Sequence, residues 1–169
     1  PAAAAYLRDE IARVLDTYGV SWLKIDYNAG LGDDPRGSEL RGYYDTWYGI
    51  LDELRAAFPR TCFEGCSSGG MRLELESLRH YDVHFLSDTT NPLDVIRIGE
   101  GALLRVPPGR VTRWVVLQGR GYSSPSASPF APGTDEAVLG AAAAGWQPSQ
   151  VGEVVDPDFA AVAALPGGF

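Results

Sequence analysis

Basic side chains are in short supply. Lysine and arginine together number 14 against 22 aspartates and glutamates, for a formal charge of −8 and a pI near 4.7. A surface that tracks a phosphate backbone needs the opposite surplus, so the balance argues against nucleic acid as a partner and favours a neutral or weakly charged ligand. Cysteine is limited to Cys62 and Cys66. Both fall in one expected strand and its exit, where four residues span roughly 13 Å. A disulfide tolerates Cα separations only up to about 7 Å, so the two are not expected to pair, and cysteine usage leaves the redox compartment open. No apolar run approaches the roughly 20 residues that cross a bilayer as a helix, so no membrane partner is expected. The opening Pro1-Ala-Ala-Ala-Ala5 leads straight into Arg8, Asp9 and Glu10. It lacks the basic head and apolar middle of a secretory signal. It also lacks an initiating Met, which leads us to expect coding sequence upstream.

What is present suits an ordinary globular domain: 169 residues with 45% hydrophobic content are enough for a sizeable core. Leu7, Ile11, Val14, Leu15 and Tyr18 recur at helical spacing, and Gly19 follows as a stop. Residues 20–27 read as a strand that opens into a Gly/Asp/Pro loop at 29–37. Ser38 is placed to cap a second helix, whose stripe of Leu40, Tyr43, Tyr44, Trp47, Leu51 and Leu54 runs to Pro59. A strand at 61–66, a glycine-rich loop, a short helix at 71–79 and a strand at 83–87 come next. Asn91 and Pro92 announce another helix. Further strand and helix signals fall at 110–117 and 136–144, flanking a Ser/Pro/Gly-dense loop at 119–133. Helices that alternate with strands serve as crossovers, which implies a parallel sheet, either doubly wound or a β/α barrel. We count four β/α units and a fifth candidate at 151–155. A closed barrel needs eight and typically about 250 residues, so a barrel reading leaves half of it outside this sequence.

In Trp22-Leu-Lys-Ile-Asp-Tyr-Asn28, alternation puts Lys24, Asp26 and Asn28 on one face and Leu23, Ile25 and Tyr27 on the other. Both faces of a helix-covered parallel sheet are normally apolar, so this polar row needs a reason. At the carboxyl end of a strand that reason is usually a ligand. The bland alternative is a Lys24–Asp26 ion pair that ties down the strand end. Asp88, in His84-Phe-Leu-Ser-Asp-Thr-Thr-Asn91, also falls at a strand end. Alone it would read as a helix cap or an Asx turn. Its strand, however, is two along from that of Asp26, and alternate strands of a barrel contribute to one inward layer. Two carboxylates facing each other across a sugar, roughly 5 to 5.5 Å apart, are what a retaining glycosidase requires: one attacks the anomeric carbon and the other protonates the leaving oxygen. Lys24 beside Asp26 would keep it ionised, while Phe85 and Leu86 would help raise the pKa of Asp88.

The segment Glu64-Gly-Cys-Ser-Ser-Gly-Gly-Met-Arg72 contains G-x-S-x-G, so a nucleophile elbow at Ser67 must be weighed. That fold needs a histidine after the acid, and His80 and His84, the two histidines present, fall too soon. No lysine follows the glycines and no G-x-G-x-x-G is found, so a phosphate loop is not supported either. Small residues that let a sugar approach the backbone fit the loop better. His80, Asp82 and His84 straddle a helix end and a strand start with no fourth ligand in view, and no metal is expected. Trp22, Trp47, Trp114 and Trp146 are core by default, although such rings also stack on sugars.

These segments together resemble glycoside hydrolase family 36, the melibiase-type α-galactosidases. The residues that carry the resemblance are Lys24-Ile-Asp26-Tyr-Asn28, then Cys66-Ser-Ser-Gly69-Gly70-Met-Arg72-Leu-Glu74, then Ser87-Asp88-Thr-Thr90. The match in order and spacing runs from about Val20 to Pro108 and fades after Val111. It implies an incomplete (β/α) barrel of TIM type over residues 1–169, with the first barrel strands and an N-terminal β-sandwich domain lying outside. It implies Asp26 as nucleophile and Asp88 as acid/base. Lys24, Asn28, Cys66, Gly69 and Arg72 would line or support the sugar subsite, with an oligosaccharide or galactoside as substrate, no cofactor, and a homo-oligomer in the full-length protein. Glu74 departs from the aspartate common at its position, and Thr89 from an asparagine. An α-N-acetylgalactosaminidase or α-galactosyltransferase on the same framework, and a non-catalytic carbohydrate-binding remnant, are the alternative readings.

Overall fold

The computed structural model describes residues 2–28, 32–89, 92–115, 118–120, 152–154 and 157–165. The chain divides into two compact units, residues 1–85 and 86–169. In the first, α1 (Ala2–Tyr18) ends where Gly19 takes a left-handed φ of 59°, and Val20 N–H donates back to Leu15 O at 3.2 Å. Glycine meets no Cβ penalty in that conformation, which is why the expected stop falls there. Strand β1 (Trp22–Asp26), helix α2 (Ser38–Ala57), strand β2 (Cys62–Cys66), the short helix α3 (Ser77–His80) and strand β3 (Val83–Phe85) follow.

The three strands pair in parallel in chain order. Trp22, Lys24 and Asp26 stand beside Cys62, Glu64 and Cys66, and Glu64 beside Val83. Helices join them as crossovers, as the alternation of helix and strand patterns predicts. The core forms on one face: Leu15 of α1, Ile50, Leu51 and Leu54 of α2, and Phe63 of β2 are buried, with Leu23 and Ile25 packed against them. The apolar stripe of α2 and the odd-numbered residues of β1 and β2 thus meet, and the even-numbered residues are left for the other face.

Three local expectations shift. Ser38 does not cap α2. The cap residue is Gly37, and Asp34 Oδ2 accepts Leu40 N–H at 2.8 Å, a carboxylate at the positive end of the helix dipole. The helix expected at 71–79 contracts to Ser77–His80 because Glu74 takes the backbone bonds locally, accepting Glu76 N–H at 2.6 Å through its carboxylate and Ser77 Oγ–H at 2.7 Å through its carbonyl. Strand β3 stops at Phe85 instead of Ser87. Cys62 and Cys66 bound one extended strand and both are free thiols, as the spacing requires.

In the second unit α4 (Pro92–Leu103) begins at the expected proline, and a 3-10 turn at Pro108–Arg110 leads into β4 (Val111–Thr112). Of the strand expected over 110–117, the described residues 110–115 contain those two. Arg113 leaves it to reach Ala163 O through Nη1 at 3.1 Å. The fifth unit is a strand followed by a helix, β6 (Gly152–Val154) and α5 (Pro157–Ala164), but β6 pairs antiparallel with β5 (Gln118–Arg120) and is not a further parallel strand. Ala163 of α5 packs on Val95 of α4. The helix expected at 136–144 and most of the loop at 119–133 lie outside the described residues.

Candidate active site

Opposite the helix-packed core, the sheet of the first unit carries a polar face. Along β1 the burial alternates, with Trp22, Lys24 and Asp26 exposed and Leu23 and Ile25 half-buried. Asp26 and Cys66, in register at the carboxyl ends of β1 and β2, make the upper row; Lys24 and Glu64 make the row beneath. The side chain of Lys24 rises to put its ammonium 3.6 Å from the centroid of Phe85, a cation–π contact in place of the strand-end ion pair with Asp26. Glu64 was not singled out from the sequence. It is buried on this face, and its Oε2 accepts Trp22 Nε1–H at 3.1 Å. The period-two pattern of β2 contained the signal, since Cys62, Glu64 and Cys66 share a side.

Cys66 is buried, and burial pushes its thiol up to about 11, opposed by the Gly69 backbone and the Lys24 cation, while the nearby Asp26 carboxylate adds to the rise. The thiol is therefore neutral where it stands in register with Asp26. Because ionisation is displaced upward from an ordinary value near 9, at pH 8 only about one such thiol in a thousand is a thiolate. We expect iodoacetamide at pH 8 to label Cys66 on the order of a hundredfold more slowly than an unperturbed thiol, with the rate climbing as pH approaches 11. Peptide-resolved mass spectrometry reads this out, and labelling as fast as free cysteine at pH 8 would refute the buried, protonated thiol.

Just beyond these strand ends, two segments are laced together. Tyr27 N–H donates to Cys66 O at 3.2 Å, Ser67 Oγ–H to Tyr27 O at 2.6 Å, and Ser68 N–H to Asn28 Oδ1 at 2.6 Å. Ser68 and Gly69 both adopt left-handed φ, 44° and 82°, and Ser67 N–H closes the turn on Gly69 O at 2.8 Å. A non-glycine residue at φ 44° is costly, and the surrounding bonds over-determine it. Arg72 Nε donates to Ser67 Oγ at 3.1 Å, and its guanidinium lies 4.7 Å from the Tyr27 ring. Lys24, Asp26, Cys66, Gly69, Asn28 and Arg72 thus converge on one strand-end region. Asp88 belongs to the second unit, in the segment that leads from β3 to α4, and lies too far ahead of Pro92 to cap that helix. There Thr89 N–H donates to Ser87 Oγ at 3.1 Å.

A cavity of about 470 Å³ is lined by Lys24, Asp26, Cys66, Gly69 and Arg72 on one part and by apolar residues such as Leu7, Ile11, Leu23, Ile25 and Trp47 on another. The apolar wall lies on the helix side, so the candidate site is the part of this cavity that the strand-end polar residues line. The competing motifs are occupied otherwise. Ser67 Oγ is committed to Tyr27 O and Arg72, and Gly65 is required by close packing, since a Cβ there would come within 3.0 Å of His84. His80 Nδ1 lies 2.8 Å from Asp52 Oδ1 with its ring stacked 4.2 Å from that of Tyr48, while Asp82 binds Arg55 at 2.6 Å and accepts Phe63 N–H at 2.9 Å. Glu74 is turned to the hydroxyl of Tyr48 on α2, so its extra methylene serves that contact.

Parallel strands with helical crossovers, carrying polar side chains at their carboxyl ends, define the site layout of a β/α-barrel enzyme. More narrowly, the chain belongs to the Melibiase family, whose model matches residues 1–140. A probable α-galactosidase C from Aspergillus flavus is 33% identical over 108 residues, 64% of this chain and 14% of that protein. An α-galactosidase from Escherichia coli is 32% identical over 112 residues, 64% of this chain and 16% of that protein. Among solved structures, the galactosidase domain of the α-galactosidase–sucrose kinase AgaSK superposes with a TM-score of 0.69 at 21% identity, covering 97% of this chain and 19% of that one. The GH36 α-galactosidase AgaA from Geobacillus stearothermophilus gives 0.66 at 22%, covering 97% and 20%. The chain spans a small fraction of the length of these relatives.

Proposed function

We propose that the protein hydrolyses terminal α-galactosides with retention of configuration, with Asp26 as the nucleophile and Asp88 as the general acid/base. The observation that carries this reading is the placement of Asp26 at the carboxyl end of β1, on a polar sheet face, in register with Cys66 at the end of β2. An ionised carboxylate held there attacks the anomeric carbon as Asp88 delivers its proton to the glycosidic oxygen, and the aglycone leaves. Asp88, now a carboxylate, then removes a proton from the water that releases galactose from the Asp26 ester. Lys24, Cys66 and the Gly69 backbone bind the sugar hydroxyls, and Asn28 and Arg72 support the loop that carries them. Raffinose and stachyose, bound in structures of AgaA variants, are the oligosaccharides to try first.

Two inversions give retention, so proton NMR of the intact protein acting on an aryl α-galactoside is expected to show α-galactose as the first product, with the β anomer growing only by mutarotation. First-formed β-galactose would overturn the double displacement. Failure to release galactose from any α-galactoside would overturn the assignment of activity.

A further inference from the structure

The loop that follows β2 bears a strained residue and a guanidinium that the sugar chemistry does not call on. Tyr27 continues the alternation of β1 on the side of Leu23 and Ile25, and its ring stacks 6.4 Å from that of Tyr43 on α2. Arg72, lying over the Tyr27 ring, therefore approaches the strand end from the helix side, by way of Tyr27. From there it reaches Ser67. The hydroxyl of Ser67 accepts from Arg72 Nε at 3.1 Å and spends its single proton on Tyr27 O at 2.6 Å. The order of donors is thus settled: guanidinium to hydroxyl, hydroxyl to the carbonyl of the residue that follows Asp26.

We infer that Arg72 is a positioning residue, which acts through Ser67 and Tyr27 to hold Asp26 and the Cys66–Gly69 loop in a fixed relation, and that it does not touch the sugar. The inference rests on the reading of Asp26 as nucleophile. Tyr27 is bonded at both ends of its peptide units to the β2 exit, by its N–H to Cys66 O at 3.2 Å and by its carbonyl to Ser67 Oγ. With Asn28 Oδ1 taking Ser68 N–H at 2.6 Å, the backbone on the far side of Asp26 is tied to the same loop in two successive residues. These ties hold Ser68 at φ 44° and Gly69 at φ 82°. Arginine suits the place because a planar guanidinium donates from Nε while its face stacks on a ring; lysine, a point charge, does one or the other.

The test is kinetic, on the protein as its gene encodes it, with Arg72→Lys, Ser67→Ala and the double variant. A misplacement of about 1 Å at a reacting group costs on the order of a hundredfold in rate. We therefore expect kcat to fall about 10- to 100-fold in each single variant, the inhibition constant of free galactose to stay within about twofold, and the double variant to be no slower than the worse single one. Amide hydrogen exchange at Tyr27 and Ser68 is expected to quicken in both single variants, a readout independent of turnover. Galactose binding weakened about tenfold or more by Arg72→Lys would make Arg72 a sugar ligand and overturn the inference. So would wild-type kcat in Ser67→Ala, which also serves if Arg72→Lys does not fold. A wild-type protein inactive on α-galactosides would overturn the functional reading itself, whereas active protein with indifferent variants overturns the positioning role alone.

Discussion

Asp26→Ala is expected to lower kcat on aryl α-galactosides at least about a thousandfold, because the variant lacks the group that forms the covalent intermediate. Nothing beside it can substitute. The neighbouring thiol of Cys66 is the stronger nucleophile in principle, but burial and the Asp26 carboxylate hold it protonated up to about 11. Removal of Asp26 takes away one of the influences that raise this thiol and leaves burial, the larger one, in place. A small anion should instead enter the space vacated by the carboxylate. With an activated aryl substrate, azide is expected to attack from the β face and give β-galactosyl azide, restoring part of the lost rate. Wild-type activity in this variant would remove Asp26 from the mechanism.

Asp88→Ala should produce a loss that depends on the leaving group, which separates an acid/base from a nucleophile. The sucrose portion of raffinose is a poor alkoxide leaving group that needs a proton, so raffinose turnover is expected to fall about 100- to 10,000-fold. Dinitrophenolate leaves an aryl galactoside without a proton, so the first step should survive and the glycosyl–Asp26 ester should accumulate, visible by mass spectrometry as an added hexosyl group. Azide then intercepts that ester from the opposite side and yields the α-galactosyl azide, the mirror of the result for Asp26. Equal losses on both substrates would count against Asp88 as the acid.

Much of this site could be read from spacing. Period-two alternation places Lys24 and Asp26 together and opposite Leu23 and Ile25, and the structure keeps that division. Gly19 and Pro92 mark helix limits because each residue restricts the backbone by itself, with no help from distant neighbours. Other features depended on groups that meet only in three dimensions. The ammonium of Lys24, expected to serve Asp26, rests on Phe85 two strands away. Glu64 drew no notice in the sequence, yet it is buried among the polar row and joined to Trp22. Ser67 stands within G-x-S-x-G, a pattern already set aside as a nucleophile elbow, but only the structure shows that its hydroxyl links Arg72 to Tyr27 and that Gly65 answers to the packing of His84 and Tyr81.

The boundaries that moved did so for a related reason. Ser38 has the chemistry of a cap, but Asp34 reaches the same helix end from across a turn. Residues 71–76 have helical periodicity, but the Glu74 side chain and carbonyl claim the bonds that a helix would use. By itself the sequence determined which residues are polar at a strand end, which strands run parallel through crossovers, and which carboxylates are candidates for catalysis, since these follow from backbone periodicity and side-chain type. Only the tertiary structure decided what each of those side chains is bonded to. Hydrogen bonds, ring contacts and the elevated pKa of the Cys66 thiol arise between segments some 40 positions apart in the chain, such as Ser67 and Tyr27, where no local pattern reaches.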